Sequence, residues 1–154
     1  MILAIDPGPT HTAFLGWNGA VWNKGFEPNA EVLEWLRMDL VDYHVLAVED
    51  IASYGMPVGK EVFATCRFIG RIEEICKDKD VRLVYRKDIK IHLCGSMRAK
   101  DANIRQALID RIGPQGNKAC PGPTYGLAKH DWAALAIAVY VADTLKPNGV
   151  HNAK

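Results

Sequence analysis

Two short apolar runs, each ending on a carboxylate, constrain what this chain can fold into. The first, Ile2-Leu3-Ala4-Ile5, leads into Asp6 and then the turn residues Pro7-Gly8-Pro9. The second, Val45-Leu46-Ala47-Val48, leads into Glu49-Asp50. Apolar runs of this length bounded by turn signals read as buried strands of a central sheet. In open α/β sheets the carboxyl edge of such strands is where ligand crevices form, although an Asp there also serves as a plain turn former. If the two strands are neighbours, Asp6 and Glu49 converge, and converging carboxylates repel unless a cation lies between them. A divalent metal is the first expectation.

At 154 residues, with 49% hydrophobic residues, the chain has room for one domain with a real core and little room for a second. Its 19 Lys and Arg against 18 Asp and Glu leave a net charge of +1, so any surface for a polyanion must be local. Cys66, Cys76, Cys94 and Cys120 form no CxxC pair and no zinc-like spacing with His. They are expected to be reduced thiols, with Cys66 and Cys76 packed in a helix. The sequence has no leader-like segment and no apolar run of membrane-spanning length, so a cytoplasmic protein without membrane attachment is expected.

Along the chain, residues 11–17 read as a second strand, and Asn18-Gly19 as a hairpin turn into a third over 20–24. Residues 30–40 repeat apolar side chains at helical spacing, with Asn29 as the expected N-cap. A loop, Ser53-Tyr54-Gly55-Met56-Pro57, follows Glu49. Residues 58–77 then read as a helix with Val62, Cys66, Ile69, Ile72 and Cys76 on one stripe. Gly70 within it suggests close packing against another helix. Residues 80–85 form the next strand, with Val81, Leu83 and Tyr85 alternating against Arg82 and Val84. A short helical turn over 88–93, a helix over 100–112, a loop over 115–126 and a nearly all-apolar helix over 129–145 complete the chain. The last residues are polar.

The final helix must lie against the sheet, which brings its polar first turn to a sheet edge. Lys129-His130-Asp131 supplies two groups that can ligate metal. Adjacent helical residues point about 100° apart, so one of His130 and Asp131 is expected as a direct ligand and the other as its neighbour or a water-activating group. Asp131 is the favoured ligand, because oxygen suits Mg²⁺ better than imidazole does.

In this order and spacing, Ile2-Leu3-Ala4-Ile5-Asp6-Pro7-Gly8, Leu46-Ala47-Val48-Glu49, Ala99-Lys100-Asp101-Ala102 and His130-Asp131-Trp132-Ala133-Ala134-Leu135-Ala136-Ile137-Ala138 resemble RuvC-type Holliday-junction resolvases of the RNase H-like superfamily, phage-type relatives included. The resemblance covers nearly the whole chain. It implies an α/β fold with an RNase H-like mixed central sheet, an antiparallel opening meander followed by parallel strands, and helices on both faces, all in one nuclease domain over 1–154. It also implies that Asp6, Glu49 and Asp131 hold two Mg²⁺ ions, with Mn²⁺ as a substitute. The implied protein is a homodimer that nicks two strands of a four-way junction, leaving 5′-phosphate and 3′-hydroxyl ends. The family's last helix commonly carries two acids, or a His and an acid, three residues apart. Here Ala133 or Ala134 stands at the second of these positions.

A basic run hides in the neutral total. Arg82, Arg86, Lys87, Lys90, Arg98, Lys100 and Arg105 are opposed only by Asp88 and Asp101, which suits contact with phosphates. All but Arg82 are taken as candidate DNA contacts. Lys100 also stands where the resemblance places a functional lysine. Tyr54 and Met56, in the loop after Glu49, are candidates to stack on or wedge between bases. Two rival readings exist. Asp6-Pro7-Gly8-Pro9-Thr10 also looks like the first phosphate loop of actin-like ATPases and sugar kinases, which need two such domains, and a junction-binding protein of the same fold need not cut.

Overall fold

The strand that opens the chain becomes the middle of the sheet. The computed structural model describes residues 1–145, so the polar tail at 146–154 lies outside the described residues. The elements run β1 (Ile2–Pro7), β2 (His11–Trp17), β3 (Val21–Pro28), α1 (Asn29–Arg37), β4 (Val45–Asp50), α2 (Lys60–Ile75), β5 (Asp80–Tyr85), α3 (Arg86–Cys94), α4 (Asp101–Ile112) and α5 (Lys129–Thr144). The sheet order is β3-β2-β1-β4-β5, antiparallel from β3 to β1 and parallel from β1 to β5. This is the mixed sheet expected from the sequence, with helices on both faces.

Alternation sorts the two faces. Ile2, Ala4, Val45 and Ala47 point into a cluster filled by α5, α3 and α4, while Leu3, Ile5, Leu46 and Val48 point into a cluster built with α1 and α2. A strand covered on both faces has no polar side, which is why β1 and β4 read as continuous apolar runs. Helix α5 packs on β1 and β2 and is flanked by α3 and α4. Ala134, Leu135, Ala136, Ile137 and Ala138 are all fully buried, as expected of a helix that is apolar all round. The small Ala4 and Ala47 beneath it leave room for that approach.

Several local expectations change. Strand β3 continues past Lys24 to Pro28, because Phe26 still pairs with Ala13 and Glu27 with Thr12. Asn29 does not cap α1, whose N-cap is Pro28. Its side chain instead accepts a hydrogen bond from the buried Thr12 hydroxyl at 2.7 Å and donates one to the Gly8 carbonyl at 2.9 Å, tying α1 to the turn after Asp6. On α2 the buried residues are Thr65, Phe68, Ile69 and Ile72, whereas Cys66 is exposed. Cys76, just past the end of α2, is buried in the core, and Cys94 is partly buried against the cluster on the α5 side; all four cysteines are free. Gly70 is exposed too, and a Cβ there would meet nothing within 4 Å. No other helix among the described residues packs against it. On β5 the buried residue is Val84, and Leu83 and Tyr85 are exposed, because β5 is an edge strand covered chiefly on its α3 side. No helix among the described residues is long and apolar enough to cross a membrane.

Replacing Asn29 by Ala leaves the Thr12 hydroxyl and the Gly8 carbonyl without their partner. Urea unfolding of Asn29→Ala should show a loss of about 1–3 kcal/mol.

Candidate active site at the carboxyl edge of the central strands

Register brings the two strand-end acids together. Ile5 of β1 pairs with Val48 of β4 in parallel, so the next residues, Asp6 and Glu49, stand side by side at the strand spacing of about 4.8 Å. Alternation gives both the same orientation, since Ala4 and Ala47 already face α5 and every second residue repeats that direction. Both therefore line a cavity of about 360 Å³ with Arg86, Asp101, Lys129, His130, Trp132 and Ala133.

The charge in this cavity is unevenly shared. Burial raises the Asp6 carboxyl above its usual range, and Arg86 offsets part of that rise. Burial, and then the neighbouring Asp6, push Glu49 up to about 7 from an ordinary 4.5. Arg86, the first residue of α3, donates to Glu49 at 3.4 Å and also to Asp101 at the start of α4. One guanidinium thus spans two acids and leaves Asp6 without a hydrogen-bonded cation.

The first turn of α5 divides its two candidates. His130 lines the cavity, and its ring stacks on Phe26 of β3 with centroids 4.5 Å apart; Phe26 in turn stacks on His11 at 5.3 Å. Asp131 turns away from the cavity. It is buried, accepts the backbone N–H of Ala128 at 2.7 Å and pairs with Lys24 of β3 at 2.7 Å. The expectation that Asp131 joins Asp6 and Glu49 is therefore corrected: its carboxylate caps its own helix and neutralises a lysine. The position three residues after His130 that faces the cavity is Ala133, which offers only a methyl group.

Among the described residues, no group of three or more His, Cys, Asp or Glu side chains is arranged to hold a metal ion. The donors that do meet are still of the right chemistry for Mg²⁺. This ion prefers hard oxygen and is commonly held by one or two carboxylates, with waters and substrate phosphates completing its shell.

The other sequence candidates lie around this centre. Arg86 enters the cavity itself rather than an outer surface. Lys100 lies outside it: exposed at the N-cap of α4, it donates its backbone N–H to the Asn103 side chain at 2.9 Å. Arg105 lies over the Trp132 ring at 4.9 Å and donates to Gln115. Lys90 is half-buried on α3, and Arg98 is exposed in the α3–α4 turn. Tyr54 and Met56 are both exposed, 56% and 71%, and Lys87 reaches over the Tyr54 ring. Tyr54 also holds a left-handed backbone, φ 48°, which is uncommon for a bulky residue and concentrates at functional loops. Arg82 is engaged by Asp80. Sequence reasoning missed Phe26 as a sorting residue because β3 was expected to stop at Lys24, and missed Lys24 because its partner Asp131 lies 107 residues away. It counted Asp101 only as a charge opposing the basic run.

No protein-family model matches this sequence, and no curated protein matches it by sequence. By structure the chain is similar to Thermus thermophilus RuvC, with 18% identity, a TM-score of 0.65 and an alignment covering 92% of this chain and 95% of that one. It is also similar to T. thermophilus RuvC in complex with Holliday junction substrate, with 17% identity, a TM-score of 0.66 and 92% of each chain covered. At such identities the likeness is one of fold. The five-stranded mixed sheet with its flanking helices is the RNase H-like fold of RuvC.

Because the folded state raises Glu49, it binds a proton more tightly than the unfolded chain does. The stability this contributes is complete below about pH 4.5 and is lost as pH rises through about 7. Metal-free protein should therefore unfold more easily at pH 8 than at pH 5. Glu49→Gln, compared by chemical denaturation at pH 8, should be more stable than wild type by about 1–3 kcal/mol.

Proposed function

We propose that this chain is a single-domain, metal-dependent endonuclease that binds four-way DNA junctions as a homodimer and resolves them by paired nicking, leaving 5′-phosphate and 3′-hydroxyl ends. One observation carries the reading. Two carboxylates with raised proton affinity stand side by side at the carboxyl edge of the central strands, in the fold of a protein that has been captured on a Holliday junction.

Asp6 and Glu49 would hold Mg²⁺, with Mn²⁺ as a substitute, and His130 stands at the same cavity as a further donor or proton carrier. When bound, the metal activates water and neutralises the charge that develops in phosphodiester hydrolysis. The protein's own contribution is geometric and electrostatic. Parallel pairing fixes the two carboxylates, Arg86 holds Glu49 and offers its remaining donor capacity to a phosphate, and Phe26 fixes the plane of the His130 ring. Imidazole in that position suits general acid–base work near neutral pH. Tyr54 and Met56, exposed in the loop that follows Glu49, suit stacking against the unpaired bases of a crossover, and Lys87, Lys90, Arg98, Lys100 and Arg105 suit its phosphates.

A second reading, a junction-binding protein that does not cut, draws support from the Lys24–Asp131 ion pair, which removes an acid from the site. Incubating the protein with a synthetic four-way junction, with and without Mg²⁺, separates the two. Cutting that requires Mg²⁺, and that is lost in Asp6→Asn while junction binding persists, supports the nuclease; tight binding without cutting under any divalent cation supports the alternative. Mg²⁺ should also raise the thermal midpoint of wild type but not of Asp6→Asn, a test independent of turnover.

The two neighbours on α5 should separate as well. His130→Ala should cut about 10²-fold more slowly or worse at saturating junction. Asp131→Asn should mainly lower the thermal midpoint, with cleavage within a few-fold of wild type where it remains folded. A dead Asp131→Asn that is as stable as wild type would overturn this assignment.

A further inference from the structure

The face of the sheet opposite α5 carries a second cleft that the proposed chemistry does not use. Its volume is about 470 Å³, and it runs between α1 and α2 with Pro9 and Asn29 at one end. Arg37 of α1 and Arg67 and Arg71 of α2 line it, with Phe68 at its wall. Among the described residues, no carboxylate lines this cleft.

Arg82 is held by Asp80, Arg86 by Glu49 and Asp101, and Arg111 by Asp143. Arg37, Arg67 and Arg71 are exposed, and none holds a salt bridge or a side-chain hydrogen bond among the described residues. Three uncompensated guanidinium groups lining one groove repel one another. They gain most from a multivalent anion, and their planar forks match phosphate oxygens.

The position of the cleft says which phosphates. Pro9 follows Asp6 by three residues, so the mouth of the cleft lies no more than about 11 Å of chain from the candidate cutting centre. The Asn29 side chain, hydrogen-bonded to Gly8, fixes that mouth to the same turn. From Asn29 the groove follows α1 to Arg37, about 12 Å of helix. At about 3.4 Å per base pair along one strand, these limits put the mouth within about three base pairs, and Arg37 within about seven, of a strand held at Asp6. A small anion would fill only part of a groove of that length.

We infer that the Arg37–Arg67–Arg71 cleft is a second DNA-binding site, which takes the phosphate backbone of a duplex arm leaving the catalytic edge. This rests on the proposed function only for the arm's origin; the phosphate chemistry stands without it. The three arginines position the arm and do not touch the reacting atoms.

The test measures binding by fluorescence anisotropy without divalent metal, on a linear duplex and on a four-way junction, over a range of salt concentrations. Arg37→Gln, Arg67→Gln and Arg71→Gln lie at exposed positions, so circular dichroism should match wild type. Each should weaken binding to both DNAs and flatten the slope of log K against log salt by about 0.9. Lys118→Gln, a charge-matched change in the α4–α5 loop, should leave that slope unchanged. Wild-type slopes in all three arginine variants would overturn the cleft while leaving the junction reading intact. Slopes that flatten on the duplex, with no wild-type preference for the junction, would uphold the cleft and sink junction specificity. Absence of DNA binding by wild type would overturn both.

Discussion

The parallel pairing of β1 with β4 is the constraint on which the rest of the molecule depends. It sets Ile5 against Val48 and so delivers Asp6 and Glu49 to the same edge and the same face. Both strands are buried on both sides, and a slip of one residue would turn Asp6 or Glu49 toward the α1–α2 core, where a carboxylate has no partner. The core that fills the two faces therefore also fixes the register of the site. Helix α5 completes the arrangement because its apolar body has nowhere to lie except on Ala4 and Ala47, and that placement brings His130 to the cavity.

Strand β3 then decides which of the two neighbours on α5 faces the cavity. Lys24 and Phe26 are two apart in sequence and so share a face of their strand. They meet two adjacent residues of α5 that point in different directions, the lysine taking Asp131 and the phenylalanine taking His130. A buried carboxylate paired at 2.7 Å with a lysine and bonded to its own helix start is satisfied. To turn it toward Asp6 would strand both the charge of Lys24 and the Ala128 N–H. Choosing imidazole over carboxylate at this edge is therefore a consequence of hairpin length, since a hairpin ending at Lys24 would supply no ring for His130 to stack on.

What could be read from the sequence follows the same physics. Asp6 and Glu49 were legible because a strand has period two and ends at a turn, so composition, position and direction coincide. The apolar α5 was legible for a similar reason, as was the opening hairpin from Asn18-Gly19, whereas the parallel half of the sheet came with the resemblance. The choice between His130 and Asp131 was not, because it depends on contacts across 107 and 104 residues of chain, Lys24 to Asp131 and Phe26 to His130. Cys66 was misjudged because helical spacing defines a stripe but does not say which stripe is covered. Arg86 looked like one more member of a surface charge run. Only its place at the start of α3, two residues beyond the inward-facing Val84, draws it into the cavity.

The site and its scaffold pull in opposite directions. Asp6 and Glu49 would each be easier to accommodate alone, and Arg86 relieves Glu49 only by dividing itself with Asp101. The repulsion that remains is what gives such a pair affinity for a divalent cation, since a cation converts two unfavourable neighbours into two ligands. Filling the cavity with more lysine or arginine than the Arg86 and Lys129 that already line it would quiet the repulsion further. The other nearby cations stand outside it: Lys24 is spent on Asp131, Arg105 lies against Trp132, and Arg37, Arg67 and Arg71 stand on the opposite face of the sheet. Positive charge is thus arranged around this edge, with Arg86 and Lys129 at the cavity itself, a distribution suited to drawing in a polyanion.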